Sequence, residues 1–452
     1  MVSGLLLLVI LVAAIAFIVW STAKLKLHPF LALILTAYGV GLAARLPILD
    51  VARHVNEGFG NLMTGIGLVI IAGAVIGIMI EKSGAAVVIA DTILKLVGEK
   101  RPALAMSIIG YIVSIPVFCD SGFVILSSLN KALAKRSGVS LTALAIALST
   151  GLYATHVMVP PTPGPLAAAG NLQVDNLGLV IIIGLICALP ATAAGYFWAR
   201  RFSNHFAPHQ ELENQEGETW EQLKAGYGRL PGPVAAFAPL VVPILLIALS
   251  SIANFPSLPF GGGHLKFALN FAGTPVTALL IGVALCFFLV EKIDEQVLSG
   301  WIGSSLKDVA VILVVTGAGG SLGRMLAITK IGDYLGIALA QYSLGIFLPF
   351  VIAAAIKTAQ GSSTVSLVTT SAIIAPLLGK LGFDSELGRV LMVMAVAAGS
   401  MVVSHANDSY FWVVSQFSNM EVATAYRTQT VGTLLQGLVA ILTVAVLSWI
   451  LL

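Results

Sequence analysis

Two carboxylates, two imidazoles, one ammonium and a run of hydroxyls interrupt apolar segments of this chain at four places. In "CDSG", Asp120 and Ser121 head a helical run that resumes near Gly122. That is an N-cap arrangement, and it turns a helix N-terminus into the surrounding bundle. In "KTAQGSSTVS", Gly361, Ser362, Ser363 and Thr364 repeat it, with Lys357 one turn earlier. Unpaired backbone N–H groups at such ends suit an anion such as a carboxylate, and neighbouring hydroxyls suit a polyhydroxylated ligand. In "HVMVPPTPGP", which begins at His156, four prolines in six residues forbid an α-helix, because they remove N–H donors and clash with the preceding turn. Thr162, Gly164 and the freed carbonyls are then ligand contacts. In "SHANDSYFW", His405, Asn407, Asp408 and Ser409 put an imidazole, an amide, an acid and a hydroxyl within five residues.

The elements that must hold these groups are membrane helices. Of the 452 residues, 58% are hydrophobic and only 10% charged, against roughly a quarter charged in soluble domains. The mean hydropathy is +0.98. A net charge of +3 is too small to point to nucleic acid. Cys119, Cys187 and Cys286 are scattered in apolar segments without CxxC spacing, which implies neither a disulfide framework nor a metal site. No HExxH motif and no Cys–His pairing points to an enzyme.

Ten spans are expected, at 4–21, 29–45, 62–81, 140–168, 177–199, 234–253, 273–290, 308–328, 387–414 and 431–451. The first run has no basic residue before it and Lys24 and Lys26 after it, so it reads as a retained span with its N-terminus outside, not a signal peptide. Residues 102–135 carry basic clusters on both flanks, and each arm is shorter than the roughly 20 residues a crossing needs. A re-entrant helical hairpin satisfies both constraints, its non-helical tip covered by protein or lining a cavity. Residues 340–379, interrupted at Lys357, behave alike.

"AGAVIGIMI" matches "AGGSLGRML" at an offset of 246 residues, and His156 matches His405 at 249. Five spans per half invert the second copy. The expected organisation is therefore a first inverted repeat (1–200) with a cytoplasmic hairpin, a cytoplasmic linker (201–231), and a second repeat (232–452) with an outside-facing hairpin. In this N-out, C-out topology, 16 of the 24 Lys and Arg face the cytoplasm, as the positive-inside tendency asks. Inverted repeats with discontinuous helices belong to secondary transporters, with the site at the repeat interface. The acidic run at Glu211, Glu213, Glu216, Glu218 and Glu221 reads as a solvated stretch of the linker.

Plainer readings stand beside each of these. Asp120 also serves as a helix cap, His156 and His405 as histidines bonded between helices, and Lys357 as a tie to a carboxylate. Gly73, Gly77, Gly319 and Gly323 are small-xxx-small packing residues. "TGAGGSLG" lies inside a span with no strand before it, which excludes a dinucleotide loop. Acids at this depth are costly enough to favour a functional role for Asp120 and Asp408.

"IPVFCDSGFVIL", "HVMVPPTPGP", "KTAQGSSTVS" and "VSHANDSYFW" resemble the signatures of the gluconate permease family, gluconate:proton symporters of the ion transporter superfamily, and the resemblance covers essentially the whole chain. It implies a multi-pass protein of the bacterial cytoplasmic (inner) membrane, in contact with lipid, that imports gluconate or a related sugar acid with protons and needs no cofactor. It also implies a homodimer with elevator-like movement of a transport domain. Idonate, fructuronate, glycerate and D-serine are alternative substrates, and sodium is the alternative coupling ion. On this resemblance the substrate carboxylate meets Ser121, Gly122, Gly361, Ser362, Ser363 and Thr364, helped by Lys357, His156 or His405. The hydroxyls meet Thr162, Gly164, Asn407 and Ser409. Asp120 or Asp408 takes the proton, since protonating an acid removes its opposition to an entering anion.

Overall fold

The computed structural model describes residues 4–98, 100–202, 220–254, 263–329 and 345–452. Expectations for 340–344 and for Glu211, Glu213, Glu216 and Glu218 of the linker lie outside the described residues. Among those described, every regular element is helical.

The first half holds α1 (Gly4–Ala23), α2 (Pro29–Ala43), α3 (Ile48–Lys82), α4 (Ala85–Val97), α5 (Pro102–Val113), α6 (Cys119–Ser137), α7 (Leu141–Met158), α8 (Pro163–Asn171) and α9 (Leu177–Phe202). A short α10 (Trp220–Gly226) follows. The second half holds α11 (Pro233–Ala253), α12 (His264–Gly273), α13 (Pro275–Cys286), α14 (Ile302–Ile328), α15 (Phe347–Gln360), α16 (Ser363–Ile374), α17 (Glu386–Met401), α18 (Ser409–Phe417) and α19 (Val431–Leu451). Proline opens α2, α5, α8 and α13, where its missing N–H costs nothing.

Among the described residues, seven helices are long and apolar enough to cross a membrane, or eight if α12 and α13, bent by 71°, count as one. The chain is thus a multi-pass, all-α membrane protein, with fewer full-length crossings among the described residues than the ten expected. Pro29–Ala43 is short, and the expected span 387–414 is split between α17 and α18. Conversely, α3 begins at Ile48 and the helical run of α14 at Gln296, both well before the apolar stretch. In α3 the extra turns are amphipathic. Val51, Val55, Gly58 and Leu62 are buried on one face, while Asp50, Arg53 and Glu57 pair on the other.

The two long helices pack side by side through small residues. Gly58 lies against the Gly320 carbonyl and Gly317 against the Phe59 ring, and Ser321 Oγ donates to Val55 O at 2.7 Å. The glycines expected to pack do so against the broken elements. A methyl on Gly73 would lie 2.9 Å from Pro161, and one on Gly77 2.5 Å from the Pro116 carbonyl. Gly319 abuts Val368, and Gly323 abuts Ala372. Thus α3 seats both breaks of the first half, and α14 seats α16.

The hairpins differ in detail from expectation. The first breaks at 114–118, and α6 already begins at Cys119. Asp120 therefore sits in the first turn instead of capping it; the cap position belongs to Phe118, and no side chain caps this end. The cause is Pro116, which ends the preceding run, with Ser114 Oγ closing the turn onto Val117 O at 2.9 Å. In the second, Gly361 (φ 91°) ends α15, and Ser362 Oγ accepts the Val365 N–H at 3.2 Å to open α16. Residues Ser363–Leu381 form a 19-residue apolar run long enough to cross, so this hairpin's limbs are unequal, not both half-length.

The described end of the linker is anchored. Trp220 is buried and its Nε1 donates to Asp91 Oδ1 at 3.1 Å. Lys224 pairs with the same carboxylate, and Arg136 meets Glu221 at 3.1 Å. Through these contacts α10 is fastened to α4 and α6.

Candidate functional site

All four interruptions put residues on one cavity of about 410 Å³, the proline-rich one through His156 alone, and the volume is within the size range of small-molecule sites. The start of α6 supplies Phe118, Cys119 and Asp120; the second hairpin tip supplies Gln360, Gly361, Ser362, Ser363, Thr364 and Val365. The head of α18 gives Asn407, Asp408, Ser409 and Tyr410; Tyr153 and His156 come from α7, and Val311, Ile312 and Val315 of α14 form an apolar wall.

Three helices, α6, α16 and α18, therefore present N-terminal residues to the same space. Each carries unpaired N–H groups and the positive end of its dipole. The caps leave donors over, because Ser362 Oγ takes only the Val365 N–H and Asp408 Oδ1 only the Tyr410 N–H at 3.1 Å. At α8 the residues differ. Thr162 Oγ1 donates to Val159 O at 2.6 Å, and Pro163 and Pro165 remove two donors from the first turn.

Several polar atoms around the cavity are buried without a partner among the described residues: Asp120 Oδ1, His156 Nδ1 and Asn407 Oδ1. Buried polar atoms are nearly always bonded, so the three orphans on this cavity leave hydrogen-bonding capacity that a polar ligand or water can use. The two acids are treated differently. Asp408 Oδ2 meets Lys357 Nζ at 2.6 Å and accepts from Ser404 Oγ at 2.5 Å, while its Oδ1 holds the Tyr410 N–H. Among the described residues, the Asp120 carboxylate has one long side-chain contact, from Cys119 Sγ to Oδ2 at 3.7 Å.

Of the residues read from the sequence, the cavity collects Asp120, His156, Gly361, Ser362, Ser363, Thr364, Asn407, Asp408 and Ser409. Ser121, Gly122, Thr162, Gly164, Lys357 and His405 are not on its lining. Gly122 packs on Leu152 and Val117, and Gly164 on Leu367. Lys357 is fully buried behind the tip, paired with Asp408. His405 Nε2 and Asn407 Nδ2 both donate to Thr358 O, at 2.9 and 2.8 Å, which ties the end of α15 to the 402–408 break.

Tyr153 and Tyr410 were not anticipated. Their rings stack at 5.3 Å, and Tyr410 Oη donates to Ser149 O at 2.9 Å. Tyr153 precedes His156 by three residues, one helical turn on the same face, and Tyr410 follows Ser409; both spacings were available signals. The α14 valines carry none.

The sequence profile described as GntP family permease matches residues 5–450. A gluconate permease of Pseudomonas aeruginosa is 34% identical over 457 residues, covering 99% of this chain and 98% of that protein. The Gnt-II system L-idonate transporter of Escherichia coli is 28% identical, covering 98% and 99%. The E. coli inner membrane permease YgbN is 32% identical, covering 96% and 97%. Among solved structures, the Alcanivorax borkumensis YdaH transporter, described as having an unusual topology, aligns with a TM-score of 0.67 and 14% identity over 94% of this chain and 99% of its own. That likeness is one of fold. With a family profile running nearly end to end and a relative at this identity over almost its full length, the chain belongs to the GntP family of permeases.

Proposed function

We propose that this protein imports gluconate or a closely related sugar acid, such as idonate, across the bacterial cytoplasmic membrane by proton symport. The observation that carries this reading is the cavity where three helix N-termini meet three unpartnered buried polar atoms. Backbone N–H groups and helix dipoles hold the carboxylate. Ser363, Thr364, Ser409 and Asn407 meet the hydroxyls, with His156 and the Tyr153–Tyr410 pair beside them. Relatives named as gluconate permeases and as an L-idonate transporter support the substrate class.

Charge balance assigns the proton. Lys357 and Asp408 neutralise each other, which leaves Asp120 as the acid on the lining without a cationic partner among the described residues. An ionised Asp120 opposes an entering anion; a protonated one does not, and its O–H can donate to the ligand. Substrate and proton then enter together and leave together. The two halves act as inverted repeats around this cavity, and the site moves across the membrane in an elevator-like step within a homodimer.

Proteoliposomes test the reading. Labelled gluconate should accumulate when the interior is made alkaline, and a protonophore should abolish accumulation. Replacing sodium by choline should change nothing. Gluconate uptake that ignores the pH gradient would overturn proton symport, and idonate, fructuronate, glycerate and D-serine as competitors define the range.

A further inference from the structure

We infer that the ammonium group of Lys357 fills a cation site of the chain's own making, a tethered substitute for a bound metal or ammonium ion. Lys357 is fully buried, and its Nζ donates to the Gly361 carbonyl and to Asp408 Oδ2. The same Oδ2 accepts from Ser404 Oγ. One backbone carbonyl and one carboxylate, taken from two different interruptions, are the kinds of oxygen donor that hard cations choose, with water completing the shell. The neighbouring carbonyl, Thr358 O, is satisfied separately by His405 and Asn407, so the ammonium is the one cationic charge at the junction of hairpin tip and broken span among the described residues.

A covalently held cation has two consequences. The junction keeps its charge balance whatever the salt outside, so the second hairpin tip stays registered on residues 402–408 without sodium. Lys357 is then a positioning residue that acts through Asp408 and Gly361, with its amine turned to them and away from the lining. Shortening it leaves an oxygen-lined space beside an unmatched carboxylate. That space admits a small cation and excludes a bulky one.

The test compares full-length wild type, Lys357→Ala and Lys357→Ala/Asp408→Asn in sodium, methylammonium and choline chlorides. In detergent, wild type should melt at one temperature in all three salts. Lys357→Ala should melt several degrees higher in sodium or methylammonium than in choline, because a cation that binds the folded state stabilises it. The double variant should lose that difference. A single variant indifferent to the salt overturns the inference. So does failure of Lys357→Ala to fold in any salt while Lys357→Met/Asp408→Asn folds. In proteoliposomes, uptake by Lys357→Ala in choline should fall by roughly 100-fold, as expected for an unpaired buried charge, and sodium or methylammonium should restore most of it. The uptake arm rests on the reading of the cavity as the transport site. Salt-dependent melting without restored uptake therefore upholds the cation site and counts against that reading.

Discussion

Asp120 and Asp408 face the same cavity in opposite states of satisfaction: both oxygens of Asp408 are held by Lys357, Ser404 and the Tyr410 N–H, whereas Oδ1 of Asp120 has no partner among the described residues. Asp120→Asn mimics a permanently protonated acid. It should abolish pH-driven accumulation of gluconate while substrate exchange between loaded vesicles persists. Asp408→Asn should instead lower stability by about 3–5 kcal/mol by leaving Lys357 buried and unpaired, read as a lower melting temperature in detergent. Asp120→Asn with a normal response to the pH gradient would remove Asp120 from coupling.

Gly361 is required twice over. Its φ of 91° is a conformation L side chains rarely adopt, and a Cβ would collide with the Asn407 carbonyl. Gly361→Ala should cost about 1–3 kcal/mol of local strain and slow initial uptake more than it lowers overall stability, since the collision falls at the hairpin tip. Paired uptake and melting measurements check this.

The helix glycines separate into two kinds. Gly77→Ala drives a methyl to 2.5 Å from the Pro116 carbonyl, whereas Gly39 has nothing within 4 Å of the added carbon. Overpacking at Gly77 should destabilise by about 1–3 kcal/mol. Gly39→Ala should be neutral or stabilising by about 0.5–1 kcal/mol, by helix propensity alone. Thermal unfolding of the two variants compares them directly.

Ser363→Ala and Ser409→Ala should each weaken gluconate binding by about 0.5–1.5 kcal/mol, the worth of one hydrogen bond. Inhibition by hexanoate, which has the carboxylate and no hydroxyls, should be unchanged. Competition curves against labelled gluconate give both numbers, and equal loss for the two ligands would place these serines at the carboxylate instead.

What the sequence reveals follows from how local each signal is. Four prolines in 160–165 disclose the break after Met158 because the prohibition is local to the backbone. Pro116 similarly marks the first hairpin, though the helix restarts at Cys119, earlier than an Asp–Ser cap suggests. The early turns of α3 and α14 carry charges and do not read as spans; those of α3 fold as helix because their buried face packs on the later turns of α14. The Lys357–Asp408 pair joins residues 51 apart, and the partner of a buried lysine is a matter of tertiary register. Tyr153 was overlooked because an aromatic beside small residues in an apolar helix is ordinary core material until a cavity adjoins it.

The convergence of three helix ends on one cavity also bears on how this permease changes its diet. On the proposed reading, backbone amides grip the carboxylate; no side-chain substitution short of proline removes them, and they do not distinguish one sugar acid from its epimer. Discrimination then falls to a few hydroxyl and amide side chains, Ser363, Thr364, Asn407 and Ser409, on two short segments. On that reading specificity is separable from anion capture, and substitutions at these four positions should reach a new substrate within the class with the scaffold untouched.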